Sequence, residues 1–539
     1  MRVECLPLSR IPHTTRLFLD FLSYSPRVQQ FYPRSPSLSE WAAQQTPGAR
    51  YDDARRRRVS DTLERQNRAW DASPKTVENI ARFRAGASAL VTGQQVGLFG
   101  GPLFSILKAL TAVKLAEEAS AAGIDTVPVF WLATNDHDLA EVNHTLLPGL
   151  DGTLHSVATT SHGLDDAPVG NVVFGQEIEA VVQSAIELLG TTPATDFLRE
   201  AYRPGETLGS GFARLFAHLF ADFGVILMDP SDYEFHAIAA PVYRAAIERA
   251  AELDEALLER GKALEQAGYH QQVKVTPSST LLFVLQDGAR VPIHRRGNGT
   301  TIEFMVRDQK LSQEELLRRI DADPDQFSPN VLLRPIVQDH LLPTLAYTGG
   351  AAEVAYFAQA GVVYEKLLDH VTPIVPRFSA TVVEQKPKSL LDRYGLDLPN
   401  VFHGEEVLRE RLGAKVLPPE LQQAFDRAHT SLQKSFAAVR EALAKLDKTL
   451  VDAAENAASK IEHQLESLRA RAARAELRQS EVVGRHAQQL ANSLFPNKTL
   501  QEREIAALYY LSRYGVEFLN TLHKTLQTGC HDHQMVSFD

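Results

Sequence analysis

Apolar and polar positions along this chain change their period several times, and each change predicts an element. Between Ser88 and Thr92 an apolar stretch gives way to four glycines within nine positions, then to the helical spacing Leu103, Ile106, Leu107, Leu110, Val113, Leu115. A second apolar run, VPVFWLATNDHD (Val127 to Asp138), follows one helix-length later. Each half predicts a buried strand ending in a polar loop, joined by a helix long enough for a right-handed crossover between parallel strands. In an open α/β sheet those loops are where a ligand sits. Glycines let the backbone pass close to a ligand, and a helix start offers N–H groups that suit an anion. The spacing matches neither G-x-G-x-x-G nor G-x-x-x-x-G-K-[ST], so no ordinary dinucleotide or P-loop site is implied.

The pattern divides the rest of the chain. Residues 1–145 read as lead-in helices and the first part of a Rossmann-like core, and 146–207 as a first insertion of short strands and turns. FARLFAHLFADFG and the strand VILMDP resume the core over 208–268, with Asp229 at that strand's end. Residues 269–325 alternate like antiparallel strands joined by D-G and G-N-G turns, which predicts a second insertion. The run VLLRPIV (Val331 to Val337) predicts a strand that completes the core over 326–385, followed by a polar cluster, Gln338, Asp339, His340, Gly349, Gly350 and Glu353. Over 386–495 apolar steps of three and four predict a coiled coil, broken near Asp447 to Thr449 into an antiparallel hairpin with a second arm about 60 Å long. Such a stripe needs a partner, of which a second subunit is the simplest, with a self-packed hairpin without dimerisation as the alternative. Residues 496–539 then pack on the body. The fold class is α/β, a parallel-sheet core with two inserted subdomains and a C-terminal helical coiled coil.

Composition adds limits. The length of 539 residues exceeds one core, and a net charge of -11 argues against a nucleic-acid surface. No run of about 18 apolar residues or signal peptide occurs, which excludes a membrane-spanning helix and predicts a cytoplasmic protein. The two cysteines, Cys5 and Cys530, lie at opposite ends of the sequence, which fits a reducing compartment and rules out a disulfide framework.

Candidate chemistry gathers at the predicted strand ends. Asp136, His137 and Asp138 bring two carboxylates around an imidazole, with Glu141 and His144 just beyond. A helix beginning near Asp136 would put His137, Glu141 and His144 on one face, conceivable as a metal site, although rows of this kind are commonly structural. Aspartates there also suit helix N-caps. Arg334 is expensive to bury unless paired, so it is a candidate for gripping a carboxylate or phosphate, with a structural ion-pair network as the alternative.

The segments TGQQVGLFGGPLFSILKALTAVKLAEE, VPVFWLATNDHDLAEVNH, LLRPIVQDHLLPTLAYTGGAAEVAYFAQ, PIVPRFSATVVE and SLFPNKTLQERE, in this order, resemble the bacillithiol biosynthesis cysteine-adding enzymes, a cysteine ligase family. The resemblance covers nearly the whole chain. It implies a Rossmann-type core with two connecting-peptide insertions and a coiled coil that forms a homodimer. It also implies an enzyme, a ligase that adds L-cysteine to glucosaminyl malate in the last step towards bacillithiol, with ATP, and Mg2+ accompanying the nucleotide, to activate a carboxylate. On that reading Gly93, Gln94, Gln95, Gly97 and Gly100 line a nucleotide or phosphate region. Asp136, His137, Asp138, Arg334, Gln338 and Glu353 carry the chemistry, and Glu141, His144, Asp339, Gly349 and Gly350 bind substrate. No dedicated metal ligands, nucleic-acid partner or membrane partner are expected. Two other readings stay open: a metal-dependent hydrolase or transferase using His137, Glu141 and His144, and a non-catalytic nucleotide-binding coiled-coil protein.

Overall fold

A computed structural model describes residues 2–45, 51–149, 151–161, 163–297, 302–368, 370–414, 419–479 and 481–538. The second half of the predicted G-N-G turn, Asn298 and Gly299, lies outside them. The chain divides into two compact units, one formed by 1–381 with 502–536, the other by 382–501 with 537–539.

The first unit is built on five parallel strands: β1 (Ser88–Gln94), β2 (Thr126–Leu132), β3 (Ile226–Met228), β4 (Thr344–Gly349) and β5 (Ile374–Pro376), in the order β5-β4-β1-β2-β3. Both faces are covered, so β2 is buried at every position and its sequence reads as a continuous apolar run. Between β1 and β2 runs α1 (Leu103–Ala121), buried on nearly all sides, which is why its apolar residues exceed a single stripe. The chain moves outward from β1 through β2 to β3, then returns to the other side of β1 as β4. That reversal is a topological switch point. The register pairs Gly93 with Trp131 and Val91 with Tyr347, which aligns the carboxyl ends of β1, β2 and β4.

The run VLLRPIV is a helix start rather than a strand. Helix α3 (Arg334–Leu341) has Pro335 in its first turn, and Asn330 Oδ1 accepts from the N–H groups of Leu332 and Leu333 just before it. Leu333, Ile336, Val337 and Leu341 are buried at helical spacing. A short apolar run does not separate the two states, and the capping chemistry decides. The strand is TLAYTG, and α4 (Ala351–Leu367) follows it.

The cysteine expectation also fails. Cys5 and Cys530 form a disulfide, because the strand Arg2–Leu6 and the strand His533–Ser537 belong to one small sheet and distance along the chain is not distance in space.

Within the described part of 269–325, Ser279–Gln286, Ala289–Arg296, Glu303–Val306 and Gln309–Ser312 form an antiparallel sheet with Phe327–Pro329. In the second unit, helices Pro419–Leu446 and Val451–Gln479 are joined by a short turn at Lys448–Leu450, the hairpin that the apolar spacing predicts. No helix among the described residues is long and apolar enough to cross a membrane.

Candidate functional site

A cavity of about 780 Å³ opens at the carboxyl ends of β1, β2 and β4. Its walls bring together Gly93, Gln94, Gln95, Asp136, His137, Glu141, Arg334, Gly350 and Glu353 from separate strand ends. It also exposes residues that periodicity did not single out: Lys108, Arg290, Tyr347, Tyr356, Arg377 and Arg503.

One end is cationic. Lys108, buried in the first half of α1, donates to Gly93 O at 2.8 Å and Gln94 Oε1 at 2.9 Å and pairs with Glu353 Oε2 at 2.8 Å. Burial pushes its ammonium down to about 8, against the pull of Glu353. Burial acts on Glu353 in the opposite sense, yet Lys108, Tyr347 and the Gly350 N–H hold its carboxyl below the ordinary value. Both groups therefore carry charge at neutral pH. Arg334 donates to Gln338 Oε1 at 3.0 Å and Tyr356 at 3.1 Å, and its guanidinium lies 5.2 Å from the Tyr347 ring centre. Burial disfavours its charge, but the two tyrosines and Glu353 keep its pKa above the usual arginine value. Arg377 pairs with the buried Glu502 at 2.7 Å. Arg503 forms no hydrogen bond or ion pair among the described residues, and burial and the neighbouring Arg377 lower its pKa. Lys108, Arg377 and Arg503 all face the Phe104 ring, at 5.7, 5.4 and 5.9 Å from its centre. Four cations thus meet two carboxylates, Glu353 and Glu502, leaving a net positive field for an anion.

The other end is acidic. Gln95 Nε2 donates to Asp136 Oδ2 at 2.8 Å and to Glu141 Oε2 at 2.7 Å, holding two carboxylates side by side. His137 Nδ1 is 3.6 Å from Asp136 Oδ1 and 3.5 Å from Arg290 Nη1. Burial pushes Arg290 down to about 10 while Asp136 opposes the shift. Two carboxylates beside an imidazole suit an amine that must be held and deprotonated.

Other expected site residues lie off this wall. Asp138 caps the four-residue helix α2 (Leu139–Val142) through Glu141 N. His144 is not on a helix with His137 and Glu141: it starts the strand His144–Pro148, so the proposed metal-binding row does not exist. No group of three or more His, Cys, Asp or Glu among the described residues could hold a metal. Gln338 stands behind Arg334 and positions it. Asp339 is buried against Tyr364 and Gln338, and burial raises its pKa. Gly349 is packed where a Cβ would meet Glu353 Cβ at 2.7 Å, and Gly97 and Gly100 build the turn after β1, Gly97 against Gly101 and Gly100 against Leu215 and Phe216. Asp229 accepts from Thr134 at 2.5 Å and also stays off the wall, burial raising its pKa. The start of α1 is not an open anion site, since Leu103 N donates to Ile505 O at 2.9 Å.

Parallel strands around a switch point, with a two-ended charged cavity at their carboxyl edge, define a Rossmann-like α/β protein with a candidate small-molecule site. Residues 1–378 match the N-terminal Rossmann-like domain of bacillithiol biosynthesis BshC, and 380–538 match its C-terminal coiled-coil domain. The chain belongs to this family of ligases. It is 50% identical over 533 residues, 99% of each chain, to a Koribacter versatilis protein named "Putative cysteine ligase BshC". Relatives of the same name from Solibacter usitatus and Salinibacter ruber are 35% and 36% identical, covering 99% and 96% of this chain and 100% and 96% of their own.

Proposed function

We propose that this chain joins the carboxylate of L-cysteine to the amine of glucosaminyl malate, acting in the cytoplasm as a homodimer through its coiled coil. The observation that carries the reading is the polarity of the cavity: four cations at one end, and Asp136 and Glu141 bridged by Gln95 at the other. Glucosaminyl malate carries two carboxylates and one amine, and it fits with its malyl group against Arg334, Arg377 and Arg503. The amine then points to the acidic end. There Asp136 and Glu141 hold the ammonium, and His137 takes the proton that must leave before nitrogen attacks a carbonyl. Charge pairing orients the nucleophile, which lowers the entropic part of the barrier.

A free carboxylate is a poor electrophile, so we propose ATP, with Mg2+, as its activator. The glycine turn does not fit a nucleotide's phosphates, because Gly97 and Gly100 are turned into packing and the α1 start is occupied. The test is mass spectrometry of purified protein with L-cysteine, glucosaminyl malate, ATP and Mg2+, and with each left out in turn. The expected product is the amide with one water lost, and its absence across pH and metal conditions counts against the proposal. Product formed equally without ATP removes the activation step alone.

A further inference from the structure

The two cysteines are 525 residues apart in sequence yet share a disulfide with Cα atoms 6.5 Å apart. Their surroundings differ. Cys5 is exposed, whereas Cys530 is half-buried and lines a second cavity of about 290 Å³. Glu118, Arg377 and His531 also line that cavity, and Arg377 borders the large cavity as well. Glu118 accepts from Thr528 Oγ1 at 2.7 Å in the same loop as Cys530.

Exchange of a disulfide requires a thiolate to reach one sulfur while the other departs. Here the cavity leads to Cys530, and water around Cys5 stabilises a departing thiolate. The loop remains anchored without the bond. Gln534 holds Gln527 through its N–H at 2.8 Å and its carbonyl at 2.9 Å, and Asp532 accepts from Leu8 N at 2.9 Å. In a reducing compartment, a disulfide of this kind is characteristically transient or redox-sensing.

We propose that Cys530 is a modification site for a small aminothiol bearing a carboxylate, seated with its carboxylate toward Arg377 and its ammonium toward Glu118. The incoming thiolate attacks Cys530 Sγ, the bond to Cys5 breaks, and its electron pair leaves on Cys5 Sγ, which takes a proton from water. A second thiol then attacks the mixed disulfide, so that two thiols become one small disulfide and both protein cysteines are reduced. A thiol of this class is what the proposed ligase reaction consumes, and that reading alone supplies the link. The exchange chemistry stands without it.

The test uses the full chain purified without reductant. Maleimide labelling in denaturant is expected to find no free thiol before reduction and two after, with a peptide map joining Cys5 to Cys530. Cysteine added to the native protein is then expected to leave an adduct on Cys530 and a maleimide-reactive Cys5. Cysteamine, which lacks the carboxylate, is expected to react several-fold more slowly, as is Glu118→Gln with cysteine. Two free thiols in the oxidised protein, an adduct on Cys5, or equal rates for cysteine and cysteamine overturn the proposal. Loss of ligase activity leaves every one of these readouts unchanged, so the two readings fail separately.

Discussion

Removing the charge of Glu353 isolates the electrostatics of the cationic end. Lys108 Nζ lies 2.8 Å from Glu353 Oε2, and the two side chains are 5% and 15% exposed. Glu353→Gln keeps the shape and one of the two acceptor oxygens that Tyr347 and Gly350 use, while Lys108 keeps only the neutral acceptors Gly93 O and Gln94 Oε1. Removing one partner of a buried pair costs about 3–5 kcal/mol, and the partial exposure of Glu353 to the cavity reduces this to about 2–4 kcal/mol. The pH dependence follows from Lys108, whose folded pKa near 8 already lies below its ordinary 10.5. Losing Glu353 lowers it further. A depressed lysine costs stability fully below its folded pKa, and that cost is relieved as pH rises toward the unfolded value. The deficit of the variant therefore shrinks between pH 7 and pH 9. Trp41, Trp70 and Trp131 all lie in the unit that holds the cavity, so urea unfolding followed by tryptophan fluorescence reports on that unit. A deficit below about 0.5 kcal/mol at pH 7, or strict additivity with Lys108→Met in a double-mutant cycle, refutes the reasoning.

Arg503→Gln is expected to raise KM for glucosaminyl malate about tenfold or more, equivalent to about 1.4 kcal/mol, while the urea midpoint stays put; an unchanged KM contradicts the assignment. Gly93→Ala brings a Cβ within 2.9 Å of Trp131 O, so a loss of about 1–3 kcal/mol is expected in the same unfolding assay, and wild-type stability is the contrary result. Burial pushes His236 and His533 down to about 4, so both stay neutral in the folded chain and take up protons on unfolding as pH falls below 6.5. Stability is expected to drop by about 2 kcal/mol per imidazole between pH 7 and pH 5, less in His533→Gln, whereas a midpoint that does not move contradicts this.

The apolar runs and the glycine turn announced β1, α1 and β2, because strands buried on both faces and a helix buried on most sides leave long unbroken apolar signals. Gln95, Asp136 and Glu141 were legible for the same reason, as polar groups directly after such strands. The run around Arg334 misled because its helix start depends on Asn330 and Pro335, a local chemistry that outweighs apolar content. Gly97 and Gly100 show that glycine enrichment marks tight packing as readily as ligand approach. Lys108 carried a readable signal, a cation among apolar residues in the first half of α1, whereas Lys114, Glu117 and Glu118 fall in its second half. Arg377 directly follows the short strand β5 and so carried the same strand-end signal, whereas Arg503 carried none, since only tertiary structure brings it to the cavity. The disulfide was hidden likewise, by the length of chain between its ends.

In the proposed reaction the cavity recognises a dicarboxylate at its cationic end and an amine at its acidic end. Calorimetric titration of the full chain with glucosaminyl malate, and with methyl glucosaminide lacking the malyl group, measures this directly. Losing both carboxylates is expected to weaken binding at least a hundredfold, about 2.7 kcal/mol or more, and Arg503→Gln to remove part of the difference. Equal affinity for the two ligands contradicts it.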